Sequence, residues 1–253
     1  MLIDDFLRYE SDLARSFLIP LLESMKISLS GKSILDVGCG YGGVLAALEE
    51  RFGLSRSLGI EVDSEMVKMG LARNTTKIQL EVQNFFSLEG VTFDFILMRD
   101  VLEHIVDVER ALSHARSLLN PGGMLYVSFA PFYSPFGGHQ HNGAGFFSNV
   151  PWLQFLPESW FRSFLKLKGN SYKSLTGLEV DMNTVLRTRL TLKGFHSYVL
   201  KLNLEPHFFT QFLIRPDYKI KFGLPAVRFP RFPWLEELFC TGAEAILIPK
   251  SPG

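Results

Sequence analysis

A glycine-rich segment directly after a short apolar run carries the clearest chemical signal in the sequence. Ile34, Leu35 and Val37 are typical of a buried strand, and the chain continues as Gly38-Cys-Gly-Tyr-Gly-Gly43. Glycine adopts positive φ angles and has no Cβ atom, so a ligand can lie directly against the backbone. A helix-forming stretch from Val44 to Phe52 follows. Together these residues predict the first unit of a nucleotide-binding sheet, and an ordinary tight turn is the alternative.

A carboxylate stands about 20 residues beyond the glycines, a spacing that is typical of a ribose-binding acid. Arg56 to Glu61 is predicted to be the second strand, and Val62 to Arg73 a helix with Asp63 or Ser64 as its N-cap. Since the ends of neighbouring parallel strands lie side by side, Glu61 could accept hydrogen bonds from both hydroxyls of a ribose. A solvated acid at a strand end is the alternative interpretation.

An amide and an aromatic ring follow the third predicted strand, Lys77 to Val82, which alternates as a strand should. Asn84 could pair with the edge of an adenine, and Phe85 could pack on its face. For Phe86 we expect a place in the core.

Two histidines, His139 and His141, follow the fifth predicted strand behind Gly137-Gly138. Imidazole titrates near neutral pH and can take the proton of a hydroxyl nucleophile. One of the two is therefore predicted to be a base or to orient an acceptor, and structural histidines of a lid fit equally well. No third ligand is evident nearby in the sequence, so no metal site is predicted.

The elements that position these groups alternate regularly from residue 33 to 130. Thr92 to Met98 and Met124 to Ala130 are the fourth and fifth predicted strands, and a helix from Val106 to Leu119 ends at Asn120-Pro-Gly-Gly123. This alternation predicts a parallel α/β sheet with right-handed crossovers. Its ligands bind at the carboxyl ends of the strands, where the groups above and Arg99 all fall.

The remaining segments are predicted to cover and close this sheet within one domain, residues 1–253. Residues 1–30 form a helical cover that Pro20 divides, and residues 31–130 form the cofactor-binding half. Residues 131–180 and 204–239 are aromatic-rich insertions, typical of a lid or substrate wall. Residues 181–203 and 240–250 supply a helix over 181–193, a sixth strand over 195–203 and a last strand over 241–249.

The charge balance, the cysteine content and the apolar runs of the sequence exclude some classes of protein. The 253 residues contain 26 Lys plus Arg and 26 Asp plus Glu, so no net field favours nucleic acid. Cys39 and Cys240 do not make a disulfide framework, which favours a reducing compartment. The sequence shows no secretory leader and no apolar run of about 18 residues, so a cytoplasmic protein is expected.

These residues resemble the class I S-adenosylmethionine-dependent methyltransferases, and among them the quinone-biosynthesis type. The resemblance covers residues 30–130 and rests on Ile34-Leu-Asp-Val-Gly-Cys-Gly40, on Glu61, on Phe93-Asp-Phe-Ile-Leu-Met-Arg-Asp-Val-Leu-Glu-His-Ile105 and on Leu119-Asn-Pro-Gly-Gly123. It implies a Rossmann-like, seven-stranded, mostly parallel sheet with helices on both faces. It also implies that the seventh strand is inserted antiparallel.

The resemblance also implies that S-adenosylmethionine is the cofactor and that a small acceptor, apolar or aromatic in character, is methylated. The implied cofactor-binding residues are Asp36, Gly38, Cys39, Gly40, Glu61, Val62, Asn84, Phe85 and Arg99. Asp36 and the glycine segment would hold the methionine part, Glu61 the ribose, Asn84 and Phe85 the adenine, and Arg99 would border the sulfonium. Family members often carry aspartate where Asn84 stands. His139 and His141 are the candidate catalytic residues.

Two other functions, and a contact with a membrane surface, are also compatible with the sequence. Gly38, Gly40 and Gly43 satisfy the spacing of a nicotinamide-binding turn, so an oxidoreductase is one alternative. A methyltransferase-like protein that binds the cofactor without catalysis is another. Lys166 and Lys168 beside Trp160, Phe161 and Phe164 could touch a membrane surface, although a small satellite core is favoured.

Overall fold

A computed structural model of the chain describes residues 3–140, 146–165, 175–230, 232 and 234–250. Its strands are β1 (Ser33–Val37), β2 (Arg56–Glu61), β3 (Gln79–Val82), β4 (Phe93–Arg99), β5 (Leu119–Phe129), β6 (Leu204–Ile214), β7 (Val227–Arg228) and β8 (Gly242–Pro249). These strands form one sheet in the order β3-β2-β1-β4-β5-β8-β6-β7. The predicted α/β architecture is confirmed.

Helices connect and cover the strands. They are α1 (Ile3–Leu13), α2 (Ile19–Ser24), α3 (Gly43–Phe52), α4 (Ser64–Arg73), α5 (Val108–Ser117), α6 (Glu158–Leu165), α7 (Leu175–Thr188), α8 (Leu192–Lys201), α9 (Asp217–Phe222) and α10 (Glu236–Phe239). A π-helical turn, Ala14–Leu18, joins α1 to α2, so Pro20 does not interrupt the helical path. Pro20 lies in the first turn of α2, where a missing N–H group is tolerated.

The strands β1, β2 and β4 run parallel and end level with one another. Val37 at the end of β1 is in register with Ile60 on β2 and with Met98 on β4. The segments that leave these strands are therefore brought to one edge, as the sequence predicts. The strand β8 lies antiparallel between β5 and β6, which is the inserted strand that the resemblance implies.

Both faces of the sheet are buried, which gives a helix–sheet–helix sandwich. On one face Leu35 and Phe93 belong to a core that includes apolar residues of α5 and α8. On the other face Ile34 and Phe95 belong to a core that includes residues of α2 and α3. The near-continuous apolar sequence of β4 follows from this, because successive side chains enter opposite cores.

The predicted sixth strand over 195–203 is wrong, because this stretch belongs to helix α8. Leu192, Phe195 and Val199 are buried at helical spacing, and the Thr191 hydroxyl accepts a hydrogen bond from the backbone N–H of Gly194 as an N-cap. The strand starts only at Leu204. Alternating side chains in a short apolar stretch fit a strand as well as a helix, and here the cap decides the outcome.

Other boundaries also differ from the predictions. The predicted helix over 181–193 divides into α7, which ends at Thr188, and α8, which begins at Leu192. The segment Asn120-Pro-Gly-Gly123 lies within β5 rather than between helix and strand. The second insertion begins with the eleven-residue strand β6, and the sheet has eight strands rather than seven because β7 pairs with the edge of β6.

One carboxylate fastens the starts of β1 and β4 and generates a prediction about stability. Asp94 accepts hydrogen bonds from the Ser33 N–H (2.9 Å), the Ser33 hydroxyl (2.8 Å) and the Asn120 amide (3.1 Å). These hydrogen bonds lower the pKa of Asp94, and the bond from the Ser33 N–H has the largest effect. We expect Asp94→Ala to lower the free energy of unfolding by about 1–3 kcal/mol at pH 7.

The pH dependence checks the cause. Because the folded pKa is lowered, the stabilisation by the charged form is present above the unfolded pKa of about 3.9 and is lost as pH falls through the folded pKa. The free energies of unfolding of the parent and of Asp94→Asn, measured by urea denaturation, should differ at pH 7 and converge in acid. A difference that does not change with pH would contradict this role of the charge.

Candidate functional site

The glycine turn after β1 has a backbone that only glycine adopts easily. Gly38 has φ +68° and Gly40 has φ +57°. A Cβ atom on Gly38 would lie 2.6 Å from Cγ2 of Val101, which packs directly over the turn. The N–H groups of Gly38 and Cys39 both donate to the Ile60 carbonyl, at 2.9 and 3.2 Å. The end of β2 therefore holds the turn in place.

The carboxylate of Glu61 lies against this turn. Its Oε2 accepts a hydrogen bond from the Gly40 N–H at 3.2 Å, and its Oε1 accepts from the N–H groups of Val62 (2.7 Å) and Asp63 (3.2 Å). Asp63 also caps α4, as predicted, by accepting from Glu65 and Met66. The acid and the glycines are thus neighbours in space, whereas the ribose-binding role of Glu61 stays a prediction.

A cavity of about 420 Å³ opens at the carboxyl ends of the parallel strands; we call it the strand-edge cavity. Ligand pockets of small molecules fall in the range of about 300–1,000 Å³. Its lining residues are Val37, Gly38, Ile60, Glu61, Val62, Gln83, Asn84, Phe85, Phe86, Asp100, Val101, His104 and Ile105. Five of the predicted cofactor residues are among them: Gly38, Glu61, Val62, Asn84 and Phe85.

Asn84 and Phe85 have structural contacts as well. The Asn84 side chain accepts from the Phe86 N–H at 2.9 Å and so caps a short 3₁₀ turn. Phe85 is buried, with its ring 4.8 Å from that of His114, whose Nε2 lies 3.0 Å from the Phe85 carbonyl. Phe86 was predicted to lie in the core. It is partly buried and packs against the core, and it also borders the strand-edge cavity.

The other predicted cofactor residues do not line the strand-edge cavity. Burial raises the pKa of Asp36 to about 7, against the effect of the nearby Arg99. Cys39 is buried, and its sulfur packs over Gly59 in the core. Arg99 faces an ion-pair cluster rather than the cavity. Gly40 contributes its N–H to Glu61.

Glu10, on helix α1, is a functional candidate that the sequence reasoning missed. It is buried, and its carboxylate accepts hydrogen bonds from the N–H groups of Gly43 (2.9 Å) and Tyr41 (3.4 Å). A Cβ atom on Gly40 would lie 2.5 Å from its Oε1. Burial raises the pKa of Glu10 to about 7 despite these bonds. No spacing in the sequence indicates which residue of the N-terminal helix faces the turn.

An ion-pair cluster connects the turn after β4 to the end of β6. One Nη2 atom of Arg215 lies 2.7 Å from both carboxylate oxygens of Asp100, a residue with φ +54°. Arg215 Nε is 2.6 Å from Asp217, which also pairs with Lys221. Burial opposes the ionisation of Asp100, but the guanidinium groups of Arg215 and Arg99 outweigh it and hold the pKa of Asp100 well below its ordinary value.

A second, smaller space of about 180 Å³ lies beside this cluster; we call it the polar chamber. It shares Asp100 and His104 with the strand-edge cavity. Its lining residues are Asp100, Glu103, His104, Ala130, Ser134, Phe136, His139, Arg215, Asp217, Tyr218, Lys221 and Thr241. One turn of chain, the segment after β4, therefore separates a larger cavity from a chamber rich in titratable groups.

Of the two predicted catalytic histidines, His139 lines the polar chamber, and His141 lies outside the described residues. His139 is buried at 7% exposure, has φ +59°, and its ring lies 4.9 Å from that of His104. Glu103 completes a group whose potential ligand atoms all lie within 4.8 Å of one another. The sequence did not indicate this third side chain, because Glu103 and His104 are far from His139 along the chain.

The two aromatic insertions contact each other. The Trp152 indole N–H donates to the Leu238 carbonyl at 3.2 Å, and its ring meets Phe239 edge-on. Trp160 is 61% exposed, whereas Lys166 and Lys168 and the side chains of Phe161 and Phe164 lie outside the described residues. Among the described helices, none has the length and apolar character that crossing a membrane requires. Membrane contact at this segment stays a prediction.

Comparison with known proteins identifies the family to which the chain belongs. A family model described as a methyltransferase domain matches residues 6–160. The mitochondrial ubiquinone biosynthesis O-methyltransferase of Dictyostelium discoideum is 25% identical over 183 residues, 59% of this chain and 56% of that protein. The ubiquinone biosynthesis O-methyltransferase of Rhizobium rhizogenes is 32% identical over 107 residues, 40% of this chain and 42% of that protein. The chain spans about half the length of these two relatives.

A solved structure gives the same fold. Magnesium protoporphyrin IX methyltransferase from Synechocystis, with bound SAH, superposes with a TM-score of 0.55 over 96% of this chain and 85% of that one. Its sequence identity is 15%, so the likeness concerns the fold alone.

The partly buried pair of Asp100 and Arg215 generates a prediction. In Arg215→Met the aliphatic stem is kept but Asp100 loses the guanidinium that contacts both of its oxygens, and losing hydrogen bonds to a charged group costs about 1.5–3 kcal/mol. Chemical denaturation should show this loss, and adding Asp100→Asn should restore part of it. Arg228→Met, at an exposed position on β7, is the matched control. Equal stabilities for Arg215→Met and the parent would contradict the assignment.

Proposed function

We propose that this chain, which belongs to the methyltransferase-domain family, transfers a methyl group from S-adenosylmethionine to a hydroxyl of a small-molecule acceptor. The observation that carries the proposal is the sharing of Asp100 and His104 by two adjoining spaces. The strand-edge cavity would take the adenosine part of the donor. The polar chamber would take the reacting end of the acceptor on the other side of the same turn.

The residues of the strand-edge cavity fit the donor. Gly38 leaves the turn without a Cβ atom, and Glu61 lies beside it with carboxylate oxygens that can accept from ribose hydroxyls. Asn84 and Phe85 line the same cavity, where they would hold an adenine ring by its edge and face. When bound, S-adenosylmethionine supplies an activated methyl carbon, which forms a bond to the acceptor oxygen while the electrons of the C–S bond return to sulfur.

The chain's own contribution is alignment, exclusion of water and removal of a proton. Holding a nucleophile at near-attack distance supplies much of the rate of such a transfer. Val101, packed over Gly38, and the Asp100–Arg215 pair fix the turn between the two spaces. His139, buried at the wall of the polar chamber, is in position to orient the acceptor hydroxyl or to accept its proton.

The character of the polar chamber bears on the acceptor. Ser134, Tyr218 and the histidines offer hydrogen bonds at the reacting end, while Phe136 supplies an apolar wall. We infer a small hydroxylated acceptor whose remainder is apolar or aromatic. The names of the two relatives, both O-methyltransferases, support an oxygen acceptor.

The nicotinamide alternative relies on Gly43 as the third glycine of its turn. In the structure, a Cβ atom at Gly43 would lie 2.5 Å from the Leu7 carbonyl oxygen, so close packing of α1 on α3 accounts for this glycine. Comparing thermal shifts with S-adenosylhomocysteine and with NADH distinguishes the two. Methyl transfer to a panel of small phenols distinguishes catalysis from binding alone.

The ribose assignment of Glu61 can be tested by binding. We expect Glu61→Ala to weaken the binding of S-adenosylhomocysteine by about 1–3 kcal/mol, because hydrogen bonds to a charged group are lost. Isothermal titration calorimetry measures this, with Glu65→Ala on the exposed side of α4 as the matched control. If Glu61→Ala binds as tightly as the parent, the ribose assignment is wrong.

The acceptor-side role of His139 can be tested by turnover. His139→Ala should slow methyl transfer to a reactive phenol by about 100- to 10,000-fold, the usual effect of losing a proton-accepting group. Its affinity for S-adenosylhomocysteine should not change, because His139 does not line the strand-edge cavity. Transfer of a radiolabelled methyl group gives the rate, and His207→Ala, at an exposed histidine of β6, is the control. Unchanged turnover in His139→Ala would remove this role.

A further inference from the structure

Three side chains at the wall of the polar chamber have the composition of a metal site. Glu103 and His104 come from the 3₁₀ turn after β4, and His139 comes from the segment after β5. Their potential ligand atoms lie within 4.8 Å of one another. Glu103 is 2% exposed and His139 is 7% exposed, so this is a buried group rather than an acidic surface.

One atom of this group lacks a partner. Oε1 of Glu103 accepts a hydrogen bond from the Ala130 N–H at 3.1 Å, but Oε2 is buried with no hydrogen-bond partner among the described residues. A buried carboxylate oxygen without a partner is costly, and a bound cation removes that cost. The positive charges that act on this carboxyl are the imidazoles of His104 and His139 themselves. The guanidinium of Arg215 is held by Asp100 and Asp217, and Lys221 is also paired with Asp217.

We propose that Glu103, His104 and His139 bind a divalent transition-metal ion, with Zn²⁺ the ion that best suits these ligands. Two imidazole nitrogens and one carboxylate oxygen are the protein ligands of several catalytic zinc sites, which leave a fourth position open. Mg²⁺ and Ca²⁺ prefer sites made of oxygen atoms, so two histidines favour Zn²⁺ over them. A tetrahedral zinc ion holds its ligand atoms about 3.3 Å apart, so small side-chain rotations would bring this group to bonding distance.

The open position would face the polar chamber. If the proposed function holds, an acceptor hydroxyl could bind the ion there and lose its proton more readily, as water does on zinc. His139 would then act as a metal ligand that positions the acceptor, and the released proton would pass to solvent water. This catalytic role rests on the proposed function, whereas the binding of the ion does not.

The full chain, stripped with a chelator and dialysed, tests the site directly. We expect calorimetric titration with ZnCl₂ to show one ion bound per chain. Glu103→Gln and His139→Ala should each lose this binding, and His207→Ala should keep it. Glu103→Gln keeps the size of the side chain and an oxygen for the Ala130 N–H, so it serves where His139→Ala is less stable. Failure of the parent to bind one ion, or unchanged binding in both variants, would overturn the proposal.

Two further measurements separate this proposal from the proposed function. S-adenosylhomocysteine binding by each variant shows that the donor side is intact, and its absence in the parent would count against methyl transfer alone. Methyl transfer by the stripped chain, with and without added Zn²⁺, tests the catalytic role. Restoration by Zn²⁺ in the parent but not in Glu103→Gln supports that role, and equal rates with and without the ion refute it.

Discussion

Parallel strands that end level with one another are the constraint on which the site depends. Because Val37 is in register with both Ile60 and Met98, the turns that leave β1, β2 and β4 meet at a single edge. There the Gly38 turn is held by the carbonyl of Ile60 and covered by Val101. Segments distant in sequence thus form one cavity wall, at the edge where open α/β sheets bind their ligands.

The second half of the chain is attached to this edge by charge. Arg215, at the end of β6, places one guanidinium nitrogen 2.7 Å from both oxygens of Asp100 and pairs with Asp217 through another. A partly buried pair of this kind contributes little net stability over apolar residues, yet removing either partner leaves the other charge uncompensated. Its effect is to fix where the later segments lie relative to the turn after β4, which defines the polar chamber.

The sequence was informative where local chemistry determines structure. Glycines at positive φ, the cap at Asp63 and the apolar stretches of β1, β2 and β4 all lie where they were predicted. It failed at residues 195–203, where a short apolar stretch fits either period. The cofactor roles of Asp36, Cys39 and Arg99 stay predictions, and these three residues do not line the strand-edge cavity. Glu10 and Glu103 could not be found, since their importance arises from contacts between segments that only the fold brings together.

The position of Glu10 links the seating of the first helix to proton uptake. Burial raises the pKa of this carboxyl to about 7, so the docked acid holds a proton over a range in which a solvated glutamate has already released it. For such a group the folded arrangement is favoured at the acid end and loses that advantage as pH rises towards 7. An alkaline shift therefore places a charge in the buried contact between α1 and the glycine turn, where the amides of Tyr41 and Gly43 offset only part of its loss of hydration. The docking of the first helix thus acquires a sensitivity to acidity.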